Sequence, residues 1–134
     1  MTNTEINTDT SIRILVAEDN AAVREFIVRA VQSSGAYVMS VADGQEALDL
    51  LSRERFDVLI TDIVMPNVDG IALAMKAVRL FPALKIVMIS GYAQERMRAH
   101  NLDALVHKII AKPFSLEEIC EAVKTALEIP TAAP

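Results

Sequence analysis

A single cysteine, Cys120, stands in the 134 residues, so no internal disulfide can form. It falls within an apolar helical stripe, which makes it a buried structural thiol with no chemical role. No apolar run approaches the roughly 20 residues that span a bilayer. The start of the chain is polar, without the charged head and apolar core of a signal peptide. These absences predict a cytoplasmic protein with no membrane contact. Basic residues are also scarce: 13 Lys and Arg against 18 Asp and Glu leave a net charge of -5 and a pI near 5.0. A broad basic surface for nucleic acid or acidic lipid is therefore not expected. No repeat, no low-complexity segment and no cluster of His and Cys fit for zinc is present. With 52% hydrophobic and 23% charged residues, the balance is that of one globular domain with a protein or small-ligand partner.

What is present is a strand-then-helix order repeated five times. After a polar leader, residues 1–11, Ile12 to Ala17 reads as a strand. Asn20 can cap the next helix, whose apolar face is Val23, Phe26, Ile27, Ala30 and Val31. Gly35 closes that helix in a left-handed turn, and Ala36 to Val41 is a more polar strand suited to an edge. Asp43 to Glu46 has capping-box spacing ahead of Ala47, Leu48 and Leu51. Val58 to Ile60, too short for a core helix, reads as a strand buried on both faces. It ends at Asp62, and the chain then breaks at Met65-Pro66 and turns at Asp69-Gly70.

Ile71, Ala74, Met75 and Val78 mark a third helix, stopped at Phe81-Pro82, and Lys85 to Ile89 is a fourth strand ending at Ser90-Gly91. A polar, loosely held helix is expected over about 93–100, followed by a fifth strand from Val106 to Ala111. The last helix opens on a capping box, Ser115 to Glu118, with Leu116, Ile119, Cys120, Val123 and Leu127 facing inward. Right-handed crossovers between such units predict an α/β, doubly wound parallel sheet with helices on both faces. The domain is expected over residues 12–129, with a short tail, residues 130–134, and no effector domain after it.

Four of the five strands deliver polar groups to one rim: Glu18 and Asp19, then Asp62, Ser90 and Lys112. Three carboxylates a few ångströms apart repel by several kcal/mol at an effective dielectric of ~20, so they require a cation or protons. Mg2+ suits a set of carboxylates with a backbone carbonyl and waters. Mg2+ and Lys112 together offset the three acids, leaving a pocket that can receive a phosphoryl group. Asp62 would attack phosphorus, Mg2+ and Lys112 would neutralise the equatorial oxygens, and the Ser90 hydroxyl would donate to one of them. The product, an aspartyl phosphate, reacts with water and is a temporary mark.

Plainer roles exist for each residue: Asp62 capping a loop, Ser90 forming a turn, Lys112 as a solvated charge. An aspartyl-nucleophile phosphohydrolase would want a second Asp two residues after the first, where this chain has Val64. A flavodoxin-like binding protein would want a Ser/Thr/Gly-rich phosphate loop after the first strand, where this chain has acids. The stronger alternative is an adaptor that binds its partner without phosphorylation.

Taken together, Glu18-Asp19, Asp62 with Met65-Pro66 and Asp69-Gly70, Ser90-Gly91 and Lys112-Pro113-Phe114 resemble the receiver domain of bacterial two-component response regulators, over residues 12–128. The resemblance implies a flavodoxin-like fold with strand order 2-1-3-4-5 and a cis peptide between Lys112 and Pro113. It implies that Asp62 accepts phosphate from the phosphohistidine of a histidine kinase or phosphotransferase and that Asp19 binds Mg2+ directly. Glu18 would act through water, and the Val64 carbonyl would be a further ligand. Output would be a protein contact on the face made by the fourth helix, fifth strand and fifth helix. The run Thr61 to Pro66 looks like that of the CpdR group of stand-alone receivers. One position departs from the pattern. Receivers often carry Tyr or Phe three residues before the Lys as a switch, and here Ile109 occupies that place, leaving Tyr92 as the nearest aromatic to move with Ser90.

Overall fold

Short apolar runs rich in β-branched residues form the sheet. A computed structural model describes residues 11–65, 67–91 and 106–129 of the chain. Its strands are β1 (Arg13–Ala17), β2 (Tyr37–Val41), β3 (Val58–Asp62), β4 (Lys85–Ser90) and β5 (Lys108–Ala111). All pairings are parallel and the order is β2-β1-β3-β4-β5, as expected. Every residue of β3 and β4 is buried, which is why they read as continuous apolar runs. The more polar β2 lies at an edge.

Four helices are described: α1 (Ala21–Gln32), α2 (Gly44–Arg53), α3 (Gly70–Leu80) and α4 (Leu116–Glu128). Period-2 alternation along the strands separates two cores. Ile14, Val16, Ile60, Val87 and Ile89 pack with Ile27, Ala30 and Val31 of α1 and Ile119, Ala122 and Ala126 of α4. On the other face Leu15, Leu59, Ile86 and Met88 pack with Ala47 and Leu51 of α2 and Leu73, Ala74 and Ala77 of α3. Helices thus cover both faces of the sheet.

Local chemistry places the helix starts at the strand ends. Asn20, Asp43, Asp69 and Ser115 each accept a backbone N–H as N-cap, and Ser115 with Glu118 forms a full capping box. At α2 the return bond lands one residue early, with Glu46 Oε1 accepting from Ala42 N at 2.9 Å. Gly35 turns the chain after α1 at φ +90, the left-handed region that glycine enters without cost from a side chain.

Four helical expectations need correction. Phe26, Met75 and Leu116 are exposed, at 41%, 42% and 45%, not inward-facing. The buried stripe of α3 instead runs through Leu73, Ala74 and Ala77, and that of α4 through Ile119, Ala122, Val123 and Ala126. Small alanines let these helices sit close to the sheet, so the larger side chains flank the contact. Cys120 is half-buried, its thiol donating to the Ala30 carbonyl at 3.2 Å. The helix expected over 93–100, Tyr92, residues 1–10 and the tail from 130 lie outside the described residues.

Candidate functional site

The carboxyl ends of β1, β3, β4 and β5 converge on an open cavity of about 890 Å³. Glu18, Asp19, Asp62, Val64 and Lys112 line it, with Phe26 and Phe114 as an apolar wall. The two rings meet at 5.9 Å between centroids. Phe26 is exposed because it faces this cavity and not the sheet.

Asp62, the last residue of β3, is 5% exposed. Its Oδ1 accepts from Ile63 N at 2.8 Å and its Oδ2 from Lys112 Nζ at 2.9 Å. The loop beyond it folds back tightly: Gly70 N donates to the Ile63 carbonyl at 2.7 Å, and a Cβ on Gly70 would lie 1.9 Å from the Asp62 carbonyl oxygen. Only glycine fits there. Lys112 leaves β5 with its backbone N–H on the Ser90 carbonyl at 2.9 Å, and the Lys112-Pro113 peptide is cis. Ser90 is fully buried at the end of β4, and its hydroxyl has no hydrogen-bond partner among the described residues.

Glu18 is 1% exposed. Its Oε2 accepts from Asn20 N at 3.1 Å, whereas Oε1 has no hydrogen-bond partner among the described residues and stands 4.0 Å from Lys112 Nζ. Burial raises its pKa to about 7; the Asn20 N–H opposes the shift, the Asp62 charge adds to it and Lys112 opposes it. Asp19 is exposed at the rim. One oxygen from each of Glu18, Asp19 and Asp62 lies within 4.8 Å of the others. A buried carboxylate oxygen without a donor, inside a cluster of three acids, fits a hard divalent cation.

The structure therefore brings Glu18, Asp19, Asp62, Val64 and Lys112 to one cavity and leaves Ser90 buried at its back. Ile109 is half-buried in the middle of β5, in register with Met88. Sequence reasoning missed Arg24, whose Nη1 donates to the Glu18 carbonyl at 2.8 Å, and the Phe26-Phe114 wall. Nothing in the sequence marked Arg24, while Phe26 carried a signal that was read as core.

A family model for the response regulator receiver domain matches residues 14–124. The chain is 37% identical over 115 residues to the response regulator receiver protein CpdR of Brucella abortus, covering 86% of this chain and 96% of that protein. Among solved structures, a CheY-like receiver domain protein from Methanospirillum hungatei superposes with a TM-score of 0.81 at 29% identity, covering 88% of this chain and 94% of that one. The response regulator TrrA of Thermotoga maritima, solved in complex with Mg2+-BeF, gives 0.78 at 28% identity, with 87% and 99% covered. From the first strand to the last helix, then, this chain belongs to the receiver domain family of two-component response regulators, whose members are signalling phosphoacceptors.

Proposed function

We propose that Asp62 is the phosphoacceptor, receiving its phosphoryl group from a phosphohistidine on a histidine kinase or histidine phosphotransferase. One observation carries the reading: the Asp62 carboxylate lies at a strand end, 2.9 Å from a lysine ammonium and beside a buried glutamate, one oxygen of which has no hydrogen-bond donor among the described residues. In the transfer an Asp62 oxygen forms the bond to phosphorus as the P–N bond breaks, and the donor imidazole leaves with the electron pair. Lys112, already on Asp62, is placed to follow the developing charge onto a phosphoryl oxygen. The buried Ser90 hydroxyl has no competing partner among the described residues and is available to donate to another. When bound, Mg2+ would supply the remaining charge neutralisation. Asp19, Asp62 and the Val64 carbonyl would hold it, with Glu18 acting through water. That TrrA was solved in complex with Mg2+-BeF supports Mg2+ as the cation of this pocket.

The setting proposed is cytoplasmic signalling to protein partners, without nucleic-acid or membrane contact; no helix among the described residues is long and apolar enough to cross a membrane. The receiver unit is taken as residues 12–129, preceded by the leader and followed by the tail. Output passes to a downstream protein over the face made by the expected fourth helix, which lies outside the described residues, together with β5 and α4, with Ser90, Tyr92 and Ile109 as the residues that sense the phosphoryl group. Lacking an aromatic at Ile109, this chain would rely on Tyr92.

Incubation with a small acyl phosphate donor and Mg2+ should add one phosphoryl group to the protein, and none to Asp62→Asn. Equal loading of the two would overturn the assignment. Weakened Mg2+ affinity in Asp19→Asn, read by calorimetry, would support the ligand set, and unchanged affinity would contradict it.

A further inference from the structure

The loop from Ile63 to Asp69 is fixed at both ends. Ile63 N donates to the Ile89 carbonyl at 3.1 Å and Met65 is buried, while Asp69 caps α3 through Ala72 N at 2.9 Å. Val64, between them, is 54% exposed, so its side chain has no place in the core that would settle its backbone. What steadies the middle of the loop is the start of α2. Asn67, at φ 69, donates from Nδ2 to Asp43 Oδ2 at 3.0 Å. The adjacent Val68 carbonyl lies over Gly44 so closely that a Cβ there would meet it at 2.0 Å. Asp43 divides its two oxygens between tasks, Oδ1 accepting from Glu46 N at 2.8 Å as the helix cap and Oδ2 holding Asn67.

We propose that Asn67 and Asp43 form a brace that positions the Val64 backbone at the metal side of the pocket, which makes both positioning residues for the phosphoryl-transfer reaction. The inference rests on the assignment of Asp62 and Val64 given above. A backbone carbonyl used as a ligand cannot be re-aimed by a rotamer change. An error in the loop is therefore an error in the ligand, and sub-ångström placement decides how well such a site works. Asn is also one of the few residues that enter the left-handed region readily, which by itself would account for its presence without any brace. Glycine separates the two explanations, because it keeps the conformation and loses the amide.

Mg2+ affinity and the rate of labelling by a small acyl phosphate donor should be measured for the parent, Asn67→Gly, Asp43→Ser, Asp43→Asn and the Asp43→Ser/Asn67→Gly double variant. Ser retains the cap but cannot reach as far as Asp, whereas Asn retains the cap and can pair with the Asn67 amide. The expected result is Mg2+ binding weakened roughly threefold to tenfold in Asn67→Gly and Asp43→Ser. Asp43→Asn should stay near the parent, and the double variant should be no worse than either single. Losses that add in the double variant would mark two unrelated structural effects and overturn the brace, as would parental Mg2+ affinity in Asn67→Gly. A parent that shows no Mg2+-dependent labelling lost in Asp62→Asn would instead overturn the functional reading, and the brace would fall with it.

Discussion

Glu18 carries the electrostatic cost of the pocket. Asp62 has a lysine and a backbone N–H, but Glu18 is buried with one oxygen that finds no hydrogen-bond donor among the described residues, and its pKa stands near 7 against an ordinary 4.5. A carboxyl whose folded pKa exceeds its unfolded one favours folding while it stays protonated. Its contribution is complete below about pH 4.5 and is lost as pH rises through about 7. Metal-free protein should therefore lose on the order of 3 kcal/mol from this group between pH 4.5 and 8. Urea melts in EDTA should show Glu18→Gln gaining on the parent as pH rises, with saturating Mg2+ narrowing the gap. A parent-to-variant difference independent of pH would refute this. Asp62→Asn should stabilise less than Glu18→Gln, because it also takes the partner from Lys112. The acids themselves were legible, since each ends a strand. That the cost falls on Glu18 was not, because it depends on how deeply the fold buries that carboxyl.

The elements meet at two glycines that tolerate no side chain. Gly70→Ala would drive a Cβ to 1.9 Å from the Asp62 carbonyl, and Gly44→Ala to 2.0 Å from the Val68 carbonyl; both obstacles are backbone. Each substitution should cost about 2–3 kcal/mol, read as a lower urea midpoint, and each should weaken Mg2+ binding by displacing the loop after Asp62. Gly35→Ala, at φ +90 where an added Cβ would meet no other residue within 4 Å beyond its chain neighbours, should cost only about 1 kcal/mol and leave Mg2+ binding unchanged. An equal loss at all three would mean that conformation, not contact, sets the cost. The caps at Asn20, Asp43 and Ser115 were legible because side chain and spacing suffice to specify them. The helix faces were only half legible. Periodicity gives a stripe about a hundred degrees wide, and whether Phe26 or Leu116 at its margin is covered depends on what stands opposite. For Phe26 it is the cavity, where an apolar residue out of the core is expected at a functional rim.

For the whole molecule, five parallel strands in the order β2-β1-β3-β4-β5 were legible because parallel pairing demands crossovers and buried strands leave a recognisable run. The far end of the sheet was not. Lys85 is 7% exposed and its ammonium reaches the Ile129 carbonyl just past α4, tying that helix end to β4 across the chain. His107 lies nearby, its Nδ1 accepting from Ile86 N at 2.9 Å, which requires the ring nitrogen to be unprotonated. Burial, then the Lys85 charge, lowers the His107 pKa below its ordinary value of 6.5. That contribution is present above about pH 6.5 and is lost as pH falls through the lowered value, opposite in sign to that of Glu18. With Mg2+ saturating, acid should destabilise the parent more than His107→Gln, and equal acid sensitivity would show that the Ile86 bond survives protonation. The whole molecule serves one bond, the acyl phosphate proposed on Asp62. Borohydride reduces an acyl phosphate to the alcohol, so reduction after loading with a small phosphodonor and Mg2+, followed by peptide mapping by mass spectrometry, reads the acceptor position directly. Homoserine is expected at position 62 and nowhere else, and none when EDTA replaces Mg2+; homoserine at another aspartate, or at 62 without Mg2+, would contradict Asp62 as the acceptor.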